Sequence, residues 1–135
     1  MIFKSIKFNK NHINYGERII FNISIGSNYK ITTKNIDLAI AITNPENTTL
    51  FHGSNRFIHK TIPFEGIDKT LKFCIDNNLR PGNYYITLFL RINGVIEDWL
   101  NNITSFTIDD SSPYPFNNNS EIQGLIFPEY TIEPV

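Results

Sequence analysis

Hydrophobic and polar residues alternate with a period of two along most of the chain, and no helical stripe is evident. This period is typical of strands that bury one face of a sheet and expose the other. The longest alternating segments are residues 17–25, 35–43, 68–76 and 83–92. Shorter ones occupy residues 2–8, 49–51, 95–100, 104–108 and 125–132. The pattern predicts an all-β fold of roughly seven to nine strands.

The four longest segments each carry one apolar face, and we predict that these faces form the core. Their apolar positions are Ile19, Phe21, Ile23 and Ile25; Ile36, Leu38, Ile40 and Ile42; Leu71, Phe73 and Ile75; and Tyr84, Ile86, Leu88, Leu90 and Ile92. A chain of this length can bury enough apolar surface to fold without disulfides or metal.

Turn-forming residues separate the segments. Asn93-Gly94 suits a two-residue type I′ hairpin, because both residues tolerate positive φ. It therefore predicts that residues 84–92 and 95–100 are neighbouring antiparallel strands. Short strands with turns at intervals of about a dozen residues are typical of an antiparallel β-sandwich or jelly roll.

The chain has 135 residues, and we predict one domain spanning residues 1–135. Its body is expected at residues 1–108. Residues 109–120 contain two prolines and no alternation, which indicates a surface loop. Residues 121–135 contain two further prolines. Since proline cannot donate to a ladder, a strand there is expected at an edge or exchanged with another chain.

The net charge, the apolar runs and the single cysteine limit the partners and the compartment that we expect for the chain. The formal net charge is −1, so no basic excess is available to neutralise the phosphates of a nucleic acid. The longest apolar runs are strand-sized and no basic cluster adjoins an amphipathic run, so we expect no membrane insertion. Cys74 is the single cysteine, which fits a reducing cytoplasm, and we predict a half-buried strand residue.

The sequence lacks the usual motifs for catalysis, metals and cofactors. There is no G-x-S-x-G turn, no glycine-rich phosphate loop and no pair of carboxylates placed across a cleft. His12, His52 and His59 have no recognised ligand spacing, although His52 and His59 would converge if their segment folded back. We therefore expect no enzyme activity, no metal and no cofactor, which leaves surface recognition.

The predicted strand at residues 83–92 has an unusual second face, formed by Tyr85, Thr87, Phe89 and Arg91, and Trp99 follows on the next strand. Aromatic faces stack on the C–H groups of sugars, and planar polar side chains beside them bond the hydroxyls. Tyr85, Arg91 and Trp99 are therefore candidate carbohydrate-binding residues. The alternative is that a loop or a partner subunit covers this face, above all at Phe89.

A second candidate region is the polar stretch Leu50–Lys60, which contains His52, Asn55, Arg56 and His59. Such side chains suit the hydroxyls of a carbohydrate or the charge of an acidic sugar. The alternative is a strand–bulge–strand corner in which Asn55 bonds its own backbone.

Four short motifs follow one another in a recognisable order. They are Tyr15-Gly16-Glu17; Phe51-His52-Gly53-Ser54-Asn55; Leu79-Arg80-Pro81-Gly82-Asn83-Tyr84; and Asp98-Trp99-Leu100 with Phe106-Thr107-Ile108. Their order and spacing resemble the C-terminal domain of Wzt-type proteins, the ATP-binding subunits of ABC transporters for O-antigen polysaccharide. The chain departs from that family at residues 127–130, where the family often has a tryptophan and this sequence has none.

The resemblance implies an immunoglobulin-like or jelly-roll sandwich that forms a homodimer, with the final strand as a candidate for exchange. It also implies a module that binds the non-reducing, often capped, end of an O-antigen-type polysaccharide at the cytoplasmic face of the bacterial inner membrane. The implied partners are a transporter ATPase domain and a membrane subunit, and no Walker motif occurs in this sequence. Two alternatives stay open, namely a structural or dimerisation module without a glycan ligand, and a small enzyme.

Overall fold

The computed structural model describes residues 1–14, 16–109 and 131–134. Within these ranges the chain forms eight strands and no helix. The strands are β1 (Ile2–Phe8), β2 (His12–Ile13), β3 (Ile19–Thr33), β4 (Ile36–Thr43), β5 (Thr49–Ser54), β6 (Phe64–Ile75), β7 (Gly82–Ile92) and β8 (Val95–Ile108). The predicted all-β class is confirmed. Among the described residues there is no helix long and apolar enough to cross a membrane.

The strands form two sheets that pack face to face as a sandwich. The smaller sheet has three strands in the order β1–β3–β6, and the larger has five in the order β2–β8–β7–β4–β5. The pairings are antiparallel except for the short parallel pairing of β2 with β8. The predicted antiparallel β-sandwich is therefore confirmed, with β5 and β6 each at a sheet edge.

The core lies between the sheets and is built from the alternating apolar faces. The predicted inner residues of β3, β4 and β7 are all at most 8% exposed, as expected from their period-two pattern. Phe106 and Ile108 at the end of β8 complete this layer. Phe64 at the start of β6 is buried, whereas the predicted inner residues Leu71, Phe73 and Ile75 are half-buried and pack against the core. They stay partly exposed because β6 is an edge strand.

The hairpin between β7 and β8 has the predicted geometry. Asn93 and Gly94 have φ angles of 50° and 80°, and Ile92 pairs with Val95 across the turn. The Asn93 side-chain oxygen also accepts a hydrogen bond of 2.8 Å from the Asn35 amide. This bond ties the hairpin to the start of β4.

Strand β8 joins two segments that the sequence pattern separates, residues 95–100 and 104–108. The register between β7 and β8 shifts next to Thr87, and Asn102 there has a φ of 48°. The main-chain N–H of Asn102 donates to the Thr87 hydroxyl at 3.0 Å instead of to a regular ladder partner. The alternation is interrupted because the strand bulges here without ending.

The turn before β7 is fixed by Tyr84. Its side chain is buried, and its hydroxyl donates to the Arg80 carbonyl oxygen at 2.6 Å. Burial raises the pKa of this phenol, although the charge of Arg80 opposes the shift. The P-G-x-Y motif is therefore a structural corner in which the tyrosine ring fills the core and its hydroxyl closes the turn.

Two predictions have other outcomes. Cys74 is exposed on β6, which corrects the prediction of a half-buried residue. The reason is that it alternates with Phe73, whose side chain faces the core, and so shares the outer face with Lys72. The predicted loop at 109–120 and terminal strand at 121–135 lie outside the described residues except at Asp109 and residues 131–134.

Candidate binding groove

The outer face of the larger sheet carries a groove of about 320 Å³. Four adjacent strands line it, in the order β8, β7, β4 and β5, together with the segment that follows β5. The groove therefore brings together the two candidate regions that the sequence presents as separate.

Small side chains form the floor of the groove. Ala39 and Ala41 lie on the outer face of β4. Ala39 is paired with Phe89 of β7 on one side and with Ser54 of β5 on the other. Because β4 presents only methyl groups at positions 39 and 41, between larger neighbours on β5 and β7, the outer face is hollow there.

Aromatic rings form the two long walls. On one side, Phe89 and Trp99 make an edge-to-face contact, with ring centroids 5.5 Å apart and planes at 82°. On the other side, the rings of His52 and Phe57 are 5.1 Å apart at 90°. Trp99 is 57% exposed and Phe57 is 54% exposed, so both present ring surface to solvent. Exposed rings in facing walls can stack on an apolar ligand face.

One end of the groove is polar and is organised by Asp37. One oxygen of this carboxylate accepts a hydrogen bond from the Ser54 hydroxyl at 2.5 Å. The other oxygen lies 2.7 Å from Nη2 of Arg91 and 3.4 Å from Nη1 of Arg56. Burial by itself raises the pKa of Asp37, but the bonds from Ser54 and Arg91 and the two guanidinium charges outweigh it and lower the pKa.

The two arginines at this end differ in exposure and in their distance from Asp37. Arg91 is partly buried, and its guanidinium carbon lies 5.8 Å from the centre of the Phe89 ring, within cation–π distance. The Arg56 side chain is 58% exposed and makes the longer contact with Asp37. Arg91 therefore lies against the sheet, whereas most of the Arg56 side chain is accessible to a ligand.

A second cavity of about 570 Å³, which we call the basin, adjoins the polar end of the groove. The two cavities share Asp37, Arg56 and Arg91. The basin extends from there to Lys34 before β4 and to His59 and Lys60 after β5. A ligand could therefore lie along the groove and reach into the basin past the arginine pair.

Asn55 holds the segment that carries Arg56 and His59. Its side-chain oxygen accepts a bond from the Leu38 N–H at 2.9 Å, and its amide donates to the carbonyls of Ile36 at 2.9 Å and Lys60 at 2.8 Å. The residue is buried, with 9% exposure. Its amide is committed to the main chain, so Asn55 positions the loop and has little left for a ligand.

The structure sorts the seven predicted site residues into three groups. Arg91, Trp99, His52 and Arg56 line the groove. His59 and Asn55 line the basin, together with both arginines. Tyr85 lies on the outer face of β7 but contributes to neither cavity.

The sequence did not single out five residues that shape the groove, namely Asp37, Ala39, Ala41, Ser54 and Phe57. The alternation of β4 does place an aspartate and two alanines on one face, which is an available signal. That signal gains meaning only once β4 is known to lie between β5 and β7. Sequence spacing does not supply this order.

The described residues offer little for metal chemistry. No group of three or more His, Cys, Asp or Glu side chains with metal-binding geometry occurs among them. His52 lines the groove and His59 the basin, so the two predicted histidines serve different cavities.

Comparison with known proteins gives a consistent result. A family model described as the Wzt C-terminal domain matches residues 4–127. Among solved structures, "Crystal structure of the C-terminal domain of wzt" aligns with a TM-score of 0.75 and 12% identity, covering 96% of this chain and 80% of that one. A comparison with curated protein sequences gave no match.

Two other structures align less well. A β-glucosidase from Listeria innocua in complex with glucose has a TM-score of 0.47 and 12% identity, covering 81% of this chain and 16% of that one. An alkylpurine DNA glycosylase from Pseudomonas fluorescens bound to DNA has a TM-score of 0.44 and 14% identity, covering 79% of this chain and 30% of that one. Neither alignment bears on function.

Proposed function

The chain belongs to the family of Wzt C-terminal domains, and we propose that it is a non-catalytic module that binds the non-reducing end of an O-antigen-type polysaccharide for ABC-transporter export. Within that role it would act beside a transporter ATPase domain and a membrane subunit, at the cytoplasmic face of the bacterial inner membrane. These partners and this location follow from the family and are part of the proposal.

The observation that carries the proposal is the groove with aromatic walls and an alanine floor. Sugar rings have apolar C–H faces that stack on aromatic side chains, and hydroxyls at their edges that need hydrogen-bond partners. Trp99 and Phe57 offer exposed ring surface, while Arg56 and His52 offer polar atoms in the same cavity. An open groove of this kind suits the terminal residues of a chain-like ligand.

Trp99 provides a direct test, because it is the single tryptophan of the chain and forms part of a wall. Adding O-polysaccharide from the source bacterium is expected to change its fluorescence in a saturable way. The dissociation constant expected for an open carbohydrate site is about 10⁻⁵–10⁻³ M, or roughly −4 to −7 kcal/mol. Removing the ring as Trp99→Ala is expected to weaken binding at least about tenfold by calorimetry, which corresponds to about 1.4 kcal/mol.

The matched control is Tyr29→Ala, which removes another exposed ring on β3, away from the groove. This variant is expected to bind the polysaccharide as the unaltered chain does. Absence of saturable binding at millimolar concentrations, or equal losses in the two variants, would contradict the proposal.

A second candidate function is dimerisation, and a different surface favours it. An apolar cavity of about 630 Å³ lies where the edge strands β5 and β6 approach each other. Phe51, Leu71 and Phe73 line it from the strands, and Ile58 lines it from the following loop with 71% exposure. Apolar surface at unpaired strand edges is a common place for a second chain to bind. We therefore also propose a homodimer. Such a dimer would carry two grooves for polysaccharide binding.

A further inference from the structure

Strand β8 contains a second bulge, close to the hairpin that joins it to β7. Ile96 pairs with Arg91, and Asp98 pairs with Leu90. Glu97 lies between the two paired residues and has no partner on β7. An extra residue of this kind moves every side chain that follows it to the opposite face of the strand. The bulge therefore decides which side chains of β8 point toward the groove.

Trp99 reaches the wall of the groove because of this bulge. It pairs with Phe89, and the two rings contact each other on the outer face of the sheet. Without the extra residue, pairing that continues regularly from Arg91 would bring Trp99 opposite Leu88. Leu88 is buried in the core with 1% exposure, and partners across a ladder share one face. A regular strand would thus turn the indole away from the groove and put Asp98 in its place.

Asp98 holds the bulge with both oxygens of its carboxylate. Oδ1 accepts a hydrogen bond from the main-chain N–H of Trp99 at 3.0 Å. Oδ2 accepts another from the main-chain N–H of Phe3 at 2.9 Å. Phe3 lies on β1, an edge strand of the smaller sheet. Bonds to a charged acceptor are stronger than bonds between neutral groups, so one half-buried side chain ties the bulge of β8 firmly to the other sheet.

This part of β8 forms an edge of the larger sheet in the described structure. Within the described ranges, β2 pairs with β8 only at Thr107 and Ile108. The part of β8 around Asp98 is therefore bonded to a neighbouring strand on the β7 side alone. Segments with few main-chain partners open more easily than central strands. The bond from Asp98 to β1 supplies a second attachment.

We propose that Asp98 is a positioning residue for carbohydrate binding, which keeps Trp99 in the wall of the groove by holding the bulge against β1. The inference rests on the proposed function and adds a residue that acts on the ligand only through another side chain. Asp98 is paired with the inner residue Leu90 and does not line the groove. Strand β1 thereby supports the site, although none of its described residues lines the groove.

The test uses a direct readout of Trp99, the single tryptophan of the chain. In the unaltered chain we expect nuclear Overhauser contacts between the indole and the Phe89 ring, because their centroids are 5.5 Å apart. Asp98→Ala removes both acceptors, so it is expected to reduce these contacts and to change the near-UV circular dichroism of the indole. By calorimetry it is expected to weaken the binding of O-polysaccharide from the source bacterium about tenfold.

Asp98→Asn is the conservative variant. Its side chain keeps one acceptor oxygen but presents an NH₂ group to the other main-chain N–H. We therefore expect partial rescue, with indole contacts and binding between those of the unaltered chain and Asp98→Ala. This variant also decides the question if Asp98→Ala does not fold.

Deleting Glu97 tests whether Asp98 acts through the bulge. The shortened strand can pair Trp99 with Phe89 in a regular ladder, since the extra residue is gone. The indole would then face the groove with or without Asp98. We therefore expect Asp98→Ala to have little effect on the indole contacts and on binding when it is made in the chain that lacks Glu97. Such non-additivity is expected of residues that act together.

Asp68→Asn is the matched control. The Asp68 side chain is 60% exposed and also contacts β1, through Lys4 at 3.0 Å, but it lies on β6 of the smaller sheet. This variant is expected to leave both the indole contacts and the binding of polysaccharide unchanged.

The remaining outcomes decide against the proposal. It is wrong if Asp98→Ala changes neither the indole contacts nor binding, or if it has the same effect in the chain that lacks Glu97. Loss of the contacts with unchanged binding would overturn the role of Asp98 in recognition. The indole contacts are measured without ligand. If the unaltered chain binds no polysaccharide, the proposed function fails, whereas these contacts still decide whether Asp98 positions Trp99.

Discussion

Asp37 links the strands at the polar end of the groove. It connects three strands, because it lies on β4 and bonds to Ser54 of β5 and Arg91 of β7. Its carboxylate also neutralises part of the charge of Arg56. Losing it would leave two guanidinium groups close together without compensation, so we expect effects on stability as well as on arginine orientation.

The substitution Asp37→Asn is expected to lower the free energy of unfolding at pH 7 by about 1–3 kcal/mol. Because the pKa of Asp37 is lowered in the folded chain, its stabilising contribution is complete above the unfolded-state value, about 3.9, and disappears as pH falls through the lower folded value. The difference between Asp37→Asn and the unaltered chain should therefore shrink with acidification. Urea denaturation at pH 7 and at about pH 3 measures it.

Asp76→Asn is the control for this prediction. The Asp76 side chain is 92% exposed and pairs with Arg18 at 3.2 Å on the surface. Exposed pairs contribute about 0–1 kcal/mol, so this change is expected to have little effect. An equal loss in the two variants, or a loss at Asp37 that does not depend on pH, would contradict the assigned role.

Individual groove residues were predictable where their chemistry is conspicuous. Arg91, Trp99 and His52 stand out because charged or aromatic side chains on an outer strand face call for an explanation, and Arg56 stands out in the polar segment after β5. The alanines of the floor do not stand out, since a small residue on a strand has no chemical signature of its own. Their role depends on side chains that are distant in sequence and adjacent only in the sheet.

At the level of elements, the segment after β5 shows how a loop becomes part of a rigid site. Turns at residues 55–59 include a main-chain bond from the His59 N–H to the Arg56 carbonyl at 3.1 Å, and His59 has a φ of 52°. The three bonds of Asn55 fasten this segment to β4. Arg56 and Phe57 are thereby held beside the groove.

We expect Asn55→Ala to lower the free energy of unfolding by about 2–3 kcal/mol, because it leaves buried main-chain groups of Leu38 and Ile36 without partners. We also expect it to weaken polysaccharide binding, since the segment carrying Arg56 and Phe57 is released from the sheet. Thermal denaturation and calorimetric titration measure the two effects. Asn28→Ala, at an exposed position of β3, is the control and should change neither. Binding that is unaffected in Asn55→Ala would show that the segment is not part of the site.

The strands themselves were largely predictable, and the deviations have local causes. Strands β3 and β6 extend beyond the residues that alternate regularly. The reason is that their pairing continues past an irregularity between Gly26 and Ile31. Strand β8 is continuous where the pattern shows a gap, because the bulge beside Thr87 changes which residues face inward. A period-two pattern predicts which residues share one face of a strand, but the prediction fails at a bulge.

At the scale of the whole molecule, the sandwich followed from the sequence, whereas the groove did not. Four apolar faces and short turns require two layers around one core. The groove requires the order β8–β7–β4–β5, in which β4 and β7 are neighbours although β5 and β6 lie between them in the sequence. Turn residues constrain only neighbouring strands, such as β7 and β8, and so leave this order open.

The proposed homodimer gives a prediction at the same scale. Analytical ultracentrifugation of the full chain is expected to show a dimer at micromolar concentration. Placing a charge in the apolar cavity between β5 and β6, as Ile58→Asp, is expected to weaken dimerisation at least about tenfold, because the charge would be desolvated on association.

Ile103→Asp is the matched control for this change. Ile103 is also an exposed isoleucine, but it lies on β8 and outside that cavity. Its substitution should leave the dimer unchanged. A full chain that stays monomeric at about 100 μM would contradict the homodimer, and equal weakening by both substitutions would move the interface elsewhere.

The alanine floor has a consequence for which ligands the groove can accept. Because two methyl groups set the depth of the groove, exchanging Ala39 or Ala41 for valine or isoleucine would make it shallower. Leu38, which is buried on the opposite face of β4, would keep its place in the core. In the proposed carbohydrate-binding role, the choice of sugar would then depend on two small side chains of β4, and it could change there while the rest of the scaffold stays constant.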